Sequence, residues 1–155
     1  MLAVNINPVD LRSAVDIAVK EHRKTIEEKG LALNLSGVDR ETIVLADTDK
    51  LVEVLKNVIH NATKFTSKGS INIEIVASGQ QGIVKISDTG MGLSKSALQD
   101  LFKKERVFGG AMAVGGGSGL GLYIAKGFMQ LQHGDITAES VEGKGSTFII
   151  TLPRK

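Results

Sequence analysis

Leu51-Val-Glu-Val-Leu-Lys-Asn57-Val-Ile-His-Asn61-Ala-Thr-Lys64-Phe65-Thr66 is the stretch on which the reading of this chain turns. At about 100° per residue, Leu51, Leu55, Val58, Ile59 and Ala62 fall in one apolar arc. Asn57, Asn61 and Lys64 gather within roughly 60° on the opposite side, flanked by Glu53 and His60. The spacing predicts one helix with two distinct faces. Lys and Glu are the usual choice for a solvated face, so two amides at i, i+4 with a lysine at i+7 is a narrower selection. Amide oxygens can ligate a hard cation without adding negative charge, and a lysine one turn on can neutralise phosphate. A plain solvated face with good helical spacing fits the same residues, and this helix alone does not choose between the two.

Working back from it, Asp47-Thr48-Asp49 caps the helix, where negative charge suits the dipole. Thr42 to Ala46 reads as a strand, Gly37 to Glu41 as a turn, and Leu31, Leu33 and Leu35 alternate with polar or small residues as a half-buried strand does. Val4 to Asn7 reads as a short strand. Asn7-Pro8-Val9-Asp10 then looks like a helix start, with an Asn cap and Pro at the first helical position. Leu11, Val15, Ala18, His22 and Ile26 follow at helical spacing until Gly30. His22 lies on that apolar stripe and reads first as a satisfied, partly buried histidine rather than a catalytic one.

Working forward, Ser67-Lys68-Gly69 ends the helix. Ile71, Ile73 and Ile75, a turn near Gly79 to Gly82, and Ile83 to Ile86 predict a hairpin. Directly after it comes Asp88-Thr89-Gly90-Met91-Gly92-Leu93. Asp and Gly make ordinary turns. A carboxylate at a strand end can also accept from an exocyclic amine such as adenine's, and glycines let backbone approach a flat ring. Residues 94–101 read as a short helix. Seven of the thirteen residues 109–121 are Gly, which predicts a mobile segment. It ends in Gly117-Ser118-Gly119-Leu120-Gly121-Leu122 and runs straight into an apolar helix. A glycine-rich loop feeding a helix N-terminus offers free backbone N–H groups and the positive dipole end to an anion. A flexible linker is the alternative. Neither the P-loop pattern nor the dinucleotide fingerprint fits: Lys144 is followed by Gly145, and the third glycine is misplaced. His133-Gly134 closes the helix, and two strands follow around a turn at Glu142 to Gly145, with Phe148, Ile150 and Leu152 on one face.

With 155 residues the chain suits one domain. It is 42% hydrophobic and 23% charged, with net charge +2 and no basic block, so composition gives no case for nucleic acid. It has no Cys, which removes disulfide frameworks and Cys-based metal sites. No apolar run approaches the ~20 residues of a membrane span, and the N-terminus lacks a signal pattern. A cytoplasmic compartment, with no membrane contact by this domain, is the expectation.

Taken in order, Asn-x3-Asn-x2-Lys-Phe, Asp-x-Gly-x-Gly, a Phe-containing segment, Gly-x-Gly-Leu-Gly-Leu and Gly-x-Gly-Ser-Thr-Phe resemble the catalytic ATP-binding domain of sensor histidine kinases. That domain belongs to the ATPase superfamily shared with gyrase, the MutL proteins and a heat-shock chaperone. The resemblance covers nearly the whole chain. It implies an α+β two-layer sandwich of the Bergerat type. A mixed, mostly antiparallel sheet of about five or more strands would be covered on one face by three helices, with a mobile ATP lid at about residues 102–118. By resemblance, Asn61 is the principal Mg²⁺ ligand with Asn57 assisting, and Lys64 contacts phosphate. Phe65 borders the nucleotide, Asp88 reads the adenine amino group, and Gly90, Gly92 and Leu93 shape its slot. Gly117, Gly119, Leu120, Gly121 and Leu122 supply the phosphate loop, and Thr147 lies near the adenine. Lys103, Lys104 or Arg106 could reach the γ-phosphate, and the sequence does not choose among them.

The resemblance also bears on reaction type. In the hydrolytic relatives a Glu commonly stands at the equivalent of Asn57, and an amide cannot serve as general base. Slow hydrolysis and γ-phosphoryl transfer to another nucleophile are expected, with catalysis resting on positioning and charge neutralisation. Two departures stand out. Glu105 replaces a second aromatic in the phenylalanine-rich segment. None of His22, His60 or His133 has the surroundings of a phosphoacceptor, so the chain reads as an excised catalytic domain, monomeric, whose partners are a His-bearing dimerisation hairpin and a response-regulator receiver domain. A nucleotide-binding signalling module without transfer, and an anti-sigma-type protein-serine kinase, are the alternatives.

Overall fold

The computed structural model describes residues 3–103 and 119–155. Its elements run β1 (Asn7–Asp10), α1 (Leu11–Glu28), β2 (Ala32–Ser36), β3 (Ile43–Ala46), α2 (Thr48–Phe65), β4 (Ser70–Ser78), β5 (Gln81–Asp88), α3 (Lys95–Gln99), α4 (Gly119–Leu131), β6 (Asp135–Val141) and β7 (Gly145–Pro153). Five strands form the main sheet in the order β2-β4-β5-β7-β6. Only the β2–β4 pair is parallel. β1 and β3 make a separate antiparallel pair. Helices α1, α2 and α4 pack over one face of the sheet, with α2 in the middle against both neighbours. This is the mixed two-layer sandwich that the motifs implied.

Helical spacing accounts for α1: Leu11, Ala14, Val15, Ala18, Val19 and Ile26 are buried on one stripe. Its start is not where the Asn-Pro pair suggests. Residues 7–10 are a strand, with Pro8 opposite Leu45, and the cap is Asp10, whose side chain accepts from the Arg12 N–H at 3.2 Å. The Leu11 N–H bonds to the Thr42 carbonyl at 3.0 Å, so long-range pairing outweighs a local cap signal. Proline is tolerated because β1 is an edge strand. At the other end Gly30 adopts φ +74°, and the Leu31 N–H returns to the Ile26 carbonyl at 3.1 Å, a helix stop as expected.

α2 is held at both ends by other elements. Asp47 caps it by accepting from the Lys50 N–H at 3.2 Å, and the Asp47 N–H donates to the buried side chain of Gln132 just beyond α4 at 2.8 Å. At the far end Lys29 donates its ammonium to the Thr63 carbonyl at 2.6 Å, capping the helix in the sense its dipole favours. Leu51, Leu55, Val58, Ile59 and Ala62 all enter the core, facing Ile71, Ile73, Val84 and Ile86 of the sheet. Each such side chain contributes about 1.5–3 kcal/mol by burial, and Leu55→Ala would remove about 2–5 kcal/mol through transfer and cavity costs.

The last helix closes at His133-Gly134 as expected. His133, not Gly134, takes the left-handed conformation, at φ +63°. Gly134 is constrained instead by proximity: a Cβ there would meet the Thr151 carbonyl.

Candidate functional site

Between α2, the end of β5, the 89–94 loop, α3 and the start of β7 lies a cavity of about 170 Å³. Asn61, Ala62 and Phe65 line it from α2, Asp88 from β5, and Met91 to Ser94 from the loop. Ala97, Glu142, Ser146 and Phe148 complete the wall. The volume is below the range of roughly 300–1,000 Å³ for a whole ligand pocket, so these walls suit the flat end of a larger molecule.

Asp88 ends β5, opposite Ser146 of β7. Its carboxylate accepts from the Gly90 N–H at 2.9 Å. Burial raises its carboxyl above the ordinary value, opposed by the backbone N–H groups of Gly90 and Ser146 and by the Thr66 hydroxyl. The loop after it is fixed on two sides. The Met91 N–H donates to the Phe65 carbonyl at 3.3 Å, and the Met91 carbonyl accepts from Gly143 at 2.7 Å. Gly90 is needed because a Cβ would strike the Phe65 carbonyl, and Gly92 because it has φ +68° and lies against Val141. Both glycines let backbone approach backbone, and through that they set the cavity's shape.

Asn61 is buried, with its side-chain nitrogen enclosed and lacking a hydrogen-bond partner among the described residues. At Asn61 the helical face predicted to be polar is therefore not solvated: it lines the cavity. An enclosed amide donor without a partner costs about 1–3 kcal/mol. Its position on the cavity wall is what a ligand-binding amide requires.

Asn57 faces elsewhere. Its Nδ2 donates to the Gly121 carbonyl in the first turn of α4 at 3.2 Å, and its outer side lines a polar groove with His22, Glu53, Lys56 and His60. His22 is half-buried and within hydrogen-bond distance of the Ala18 carbonyl at 3.2 Å, the satisfied state expected of it. The His22 and His60 rings stand 5.8 Å apart, and burial, with help from His22 and Lys64, holds the His60 imidazole below its ordinary pKa. Lys64 lies 5.5 Å from the centre of the Phe65 ring.

The structure thus brings Asn61, Phe65, Asp88, Gly92 and Leu93 to one cavity, with Gly90 and Lys64 beside it. Gly119, Leu120 and Gly121 form the first turn of α4, where backbone N–H groups are not used by the helix itself. Gly117, Lys104 and Arg106 lie outside the described residues. Lys103 is exposed and pairs with Asp100 at 2.8 Å. Phe102, where the expected lid begins, packs edge-on against Phe148 with ring centres 6.4 Å apart.

Leu122 is fully buried in the core, because the fourth residue of the Gly-Leu-Gly-Leu run already turns inward on α4, which leaves its backbone for a phosphate loop. Thr147 lies on the opposite face of β7, with its hydroxyl 3.0 Å from that of Ser87. Ser146 takes the cavity position instead. Alternation along the strand carried this signal, since residues two apart share a face with Phe148. Thr66, which is buried beside Asp88, gave no comparable sign in the sequence.

The donor set can be tested against the groups that the motifs imply. Among the described residues, no cluster of three or more His, Cys, Asp or Glu could hold a metal ion. A protein cage is therefore absent from that part of the chain. Amide oxygens together with the phosphates of a ligand are a donor set that suits Mg²⁺, which is commonly held by few protein groups and substrate oxygens. The unpartnered Asn61 nitrogen calls for an acceptor such as a phosphate oxygen, its amide oxygen is of the type a hard cation takes, and the desolvated carboxylate of Asp88 suits a donor amine.

A cavity floored by a strand-end carboxylate, walled by an amide-bearing helix and adjoining a glycine-rich helix start defines a class of ATPase. The chain belongs to the histidine kinase-, DNA gyrase B- and HSP90-like ATPase family, whose model matches residues 46–155. Within it the relatives are sensor histidine kinases, and this chain is an ATP-binding catalytic domain of the histidine kinase type. The sensor histidine kinase WalK of Bacillus subtilis is 38% identical over 121 residues, covering 76% of this chain and 20% of WalK. The chain spans about a fifth of the length of the curated relatives it matches. The fold recurs in solved structures. The catalytic domain of histidine kinase ThkA superposes with a TM-score of 0.84 at 21% identity, over 97% of this chain and 96% of that one. Full-length ShkA in complex with AMPPNP superposes with a TM-score of 0.82 at 24% identity, over 99% of this chain and 32% of that one. No described helix is long and apolar enough to cross a membrane.

Proposed function

We propose that this domain binds ATP with Mg²⁺ and delivers the γ-phosphoryl group to a histidine on a separate helical hairpin of a larger parent kinase. The observation that carries the reading is the pairing, in one cavity, of the buried unpartnered amide of Asn61 with the desolvated carboxylate of Asp88. Asp88 accepts the adenine amino group, with Ser146 beside it, while Phe65 and Leu93 cover the ring. Asn61, assisted by Asn57, holds the cation, which when bound neutralises phosphate charge. Lys64 and the first-turn N–H groups of α4 hold the phosphates. In the transfer, the bond between the γ-phosphorus and the β,γ-bridging oxygen breaks as a bond forms to the unprotonated nitrogen of the acceptor imidazole, the ring's other nitrogen gives up its proton to solvent, and ADP leaves. Asn57 cannot accept a proton from water at neutral pH, which supports transfer over hydrolysis.

A receiver domain would take the phosphoryl group onward, the domain itself would be monomeric, and the site would work on the cytoplasmic side, where ATP is. The relatives' names favour a histidine acceptor over the serine acceptor of the anti-sigma alternative. Mixing the domain with a separately produced His-bearing hairpin and ATP labelled at the γ-phosphate tests this. Acid-labile label on the hairpin is expected. Nucleotide binding with no transferred label would favour a signalling module, acid-stable label a serine kinase, and rapid release of free phosphate a gyrase-like hydrolase.

A further inference from the structure

Gly121 answers to the Asn57 side chain twice over. Its carbonyl accepts from Asn57 Nδ2 at 3.2 Å. A methyl group built on its Cα would sit 2.5 Å from Oδ1, 2.8 Å from Nδ2 and 3.0 Å from Cγ of that same amide, closer than side-chain carbons approach. Gly127, two turns further along α4, has no atom within 4 Å of the corresponding point, so packing does not impose glycine there. Helix propensity favours Ala over Gly by about 1 kcal/mol, and at position 121 the amide of Asn57 opposes that preference.

The two ends of an amide have opposite chemistry. The nitrogen donates twice and the oxygen only accepts. Turned about its Cβ–Cγ bond, the Asn57 amide would set its oxygen against the Gly121 carbonyl, acceptor facing acceptor. The hydrogen bond to Gly121 therefore selects the orientation in which Oδ1 is the end left with acceptor capacity. A hard cation takes oxygen, not an NH₂ group.

We propose that Gly121 is a positioning residue for Asn57, holding the α2 amide with its oxygen available to the divalent cation and its nitrogen turned away. This rests on the reading of Asn57 as a cation ligand. It gives Gly121 a side-chain-directed role that is separate from offering its own N–H to phosphate. It also couples the start of α4, where the glycine-rich segment ends, to the metal end of α2.

The test is a set of ATP titrations by calorimetry on the full chain, with Mg²⁺ and with the metal chelated, for the wild type, Gly121→Ala, Asn57→Ala and the double variant. Gly121→Ala is expected to lose about five- to tenfold of the Mg²⁺-dependent gain in affinity, the scale of one hydrogen bond, measured against the variant's own metal-free affinity. The double variant is expected to be no weaker than Asn57→Ala alone. Equal losses with and without Mg²⁺, or losses that add, would overturn the proposal and leave Gly121 with only its backbone role. Should Gly121→Ala melt early, Asn57→Ser in that background is expected to restore the melting temperature, because the shorter side chain vacates the methyl's space; failure to restore it would count equally against the proposal. A wild type that binds no ATP in either condition would overturn the nucleotide reading itself, before any variant is compared.

Discussion

Asp88→Asn separates recognition from folding more cleanly than any other single change in this domain. The wild-type carboxylate accepts from the Gly90 N–H at 2.9 Å, with the Ser146 N–H and the Thr66 hydroxyl also directed at it, and lines the cavity. Asparagine retains an oxygen for Gly90 but turns a second donor toward the donor amine of adenine. A hydrogen bond to a charged acceptor contributes about 1.5–3 kcal/mol, and each 1.4 kcal/mol is about tenfold. ATP affinity should fall by about 10- to 150-fold, and the preference for ATP over a 6-oxo purine triphosphate should shrink or invert. Stability moves the other way. Burial raises the folded carboxyl above its reference value of 3.8, so between that value and the raised one the folded state binds the proton more tightly than the unfolded state. Wild-type stability therefore declines as pH rises through that window, and above it the ionised group is a standing cost that Asn does not carry. The ligand-free variant should melt at or above the wild-type temperature at neutral pH. Calorimetry with ATP and GTP beside a thermal melt reads both quantities. Wild-type-like ATP binding by the variant, or equal wild-type affinity for ATP and GTP, would refute the argument.

Ser146→Ala should weaken ATP binding several-fold while Thr147→Ala leaves it unchanged, because only Ser146 lines the cavity; the same titrations decide it, and the reverse ranking would restore Thr147. Leu122→Ala should lower unfolding stability by about 2–5 kcal/mol in urea, with ATP affinity retained wherever the variant is folded, since Leu122 belongs to the core. The Asp47 carboxyl is held below its ordinary value, first by the Asn5 N–H and further by Lys50, against a desolvation cost. Its contribution is then present above 3.8 and lost as pH falls through the depressed folded value. Asp47→Ala should cost about 0.5–2 kcal/mol as a lost cap at neutral pH, and urea melts should show the gap to wild type closing in acid.

Where sequence reading succeeded, the deciding physics was local. The two faces of α2 follow from 3.6-residue spacing alone, and the β4–β5 hairpin from alternation broken by Gly79. The position of Asp88 at the end of a strand followed from the same alternation. Where it failed, partners distant in sequence decided. Asn7-Pro8 carries every local mark of a helix start, yet Ile43–Ala46 recruits it as a strand. The division of labour within the His133-Gly134 stop was likewise not local: His133 makes the turn, and Thr151 across the sheet requires the glycine. Ser146 rather than Thr147 shares a face with Phe148 and lines the cavity, a placement that alternation from Phe148 was sufficient to indicate.

The ligand-free domain holds two unfavourable features at the same place. Asn61 encloses an amide nitrogen that nothing described satisfies, and Asp88 keeps a carboxylate where burial disfavours its charge. Either is costly in isolation, and neither is needed to close the core, since Ala62 beside Asn61 and Ile86 beside Asp88 already supply the packing. Such groups persist when the elements that carry them are held by other contacts. α2 is anchored by Asp47 and Gln132 at one end and by Lys29 at the other, and β5 is paired on both sides. Their separation is therefore set by the sandwich before any ligand arrives. A molecule that offers a partner to both recovers the two costs together, so its binding should stabilise the fold as well as occupy the cavity, by about 2.7 kcal/mol at a hundredfold excess over the dissociation constant. Preorganisation of this kind places the discriminating energy in groups that the fold leaves incomplete.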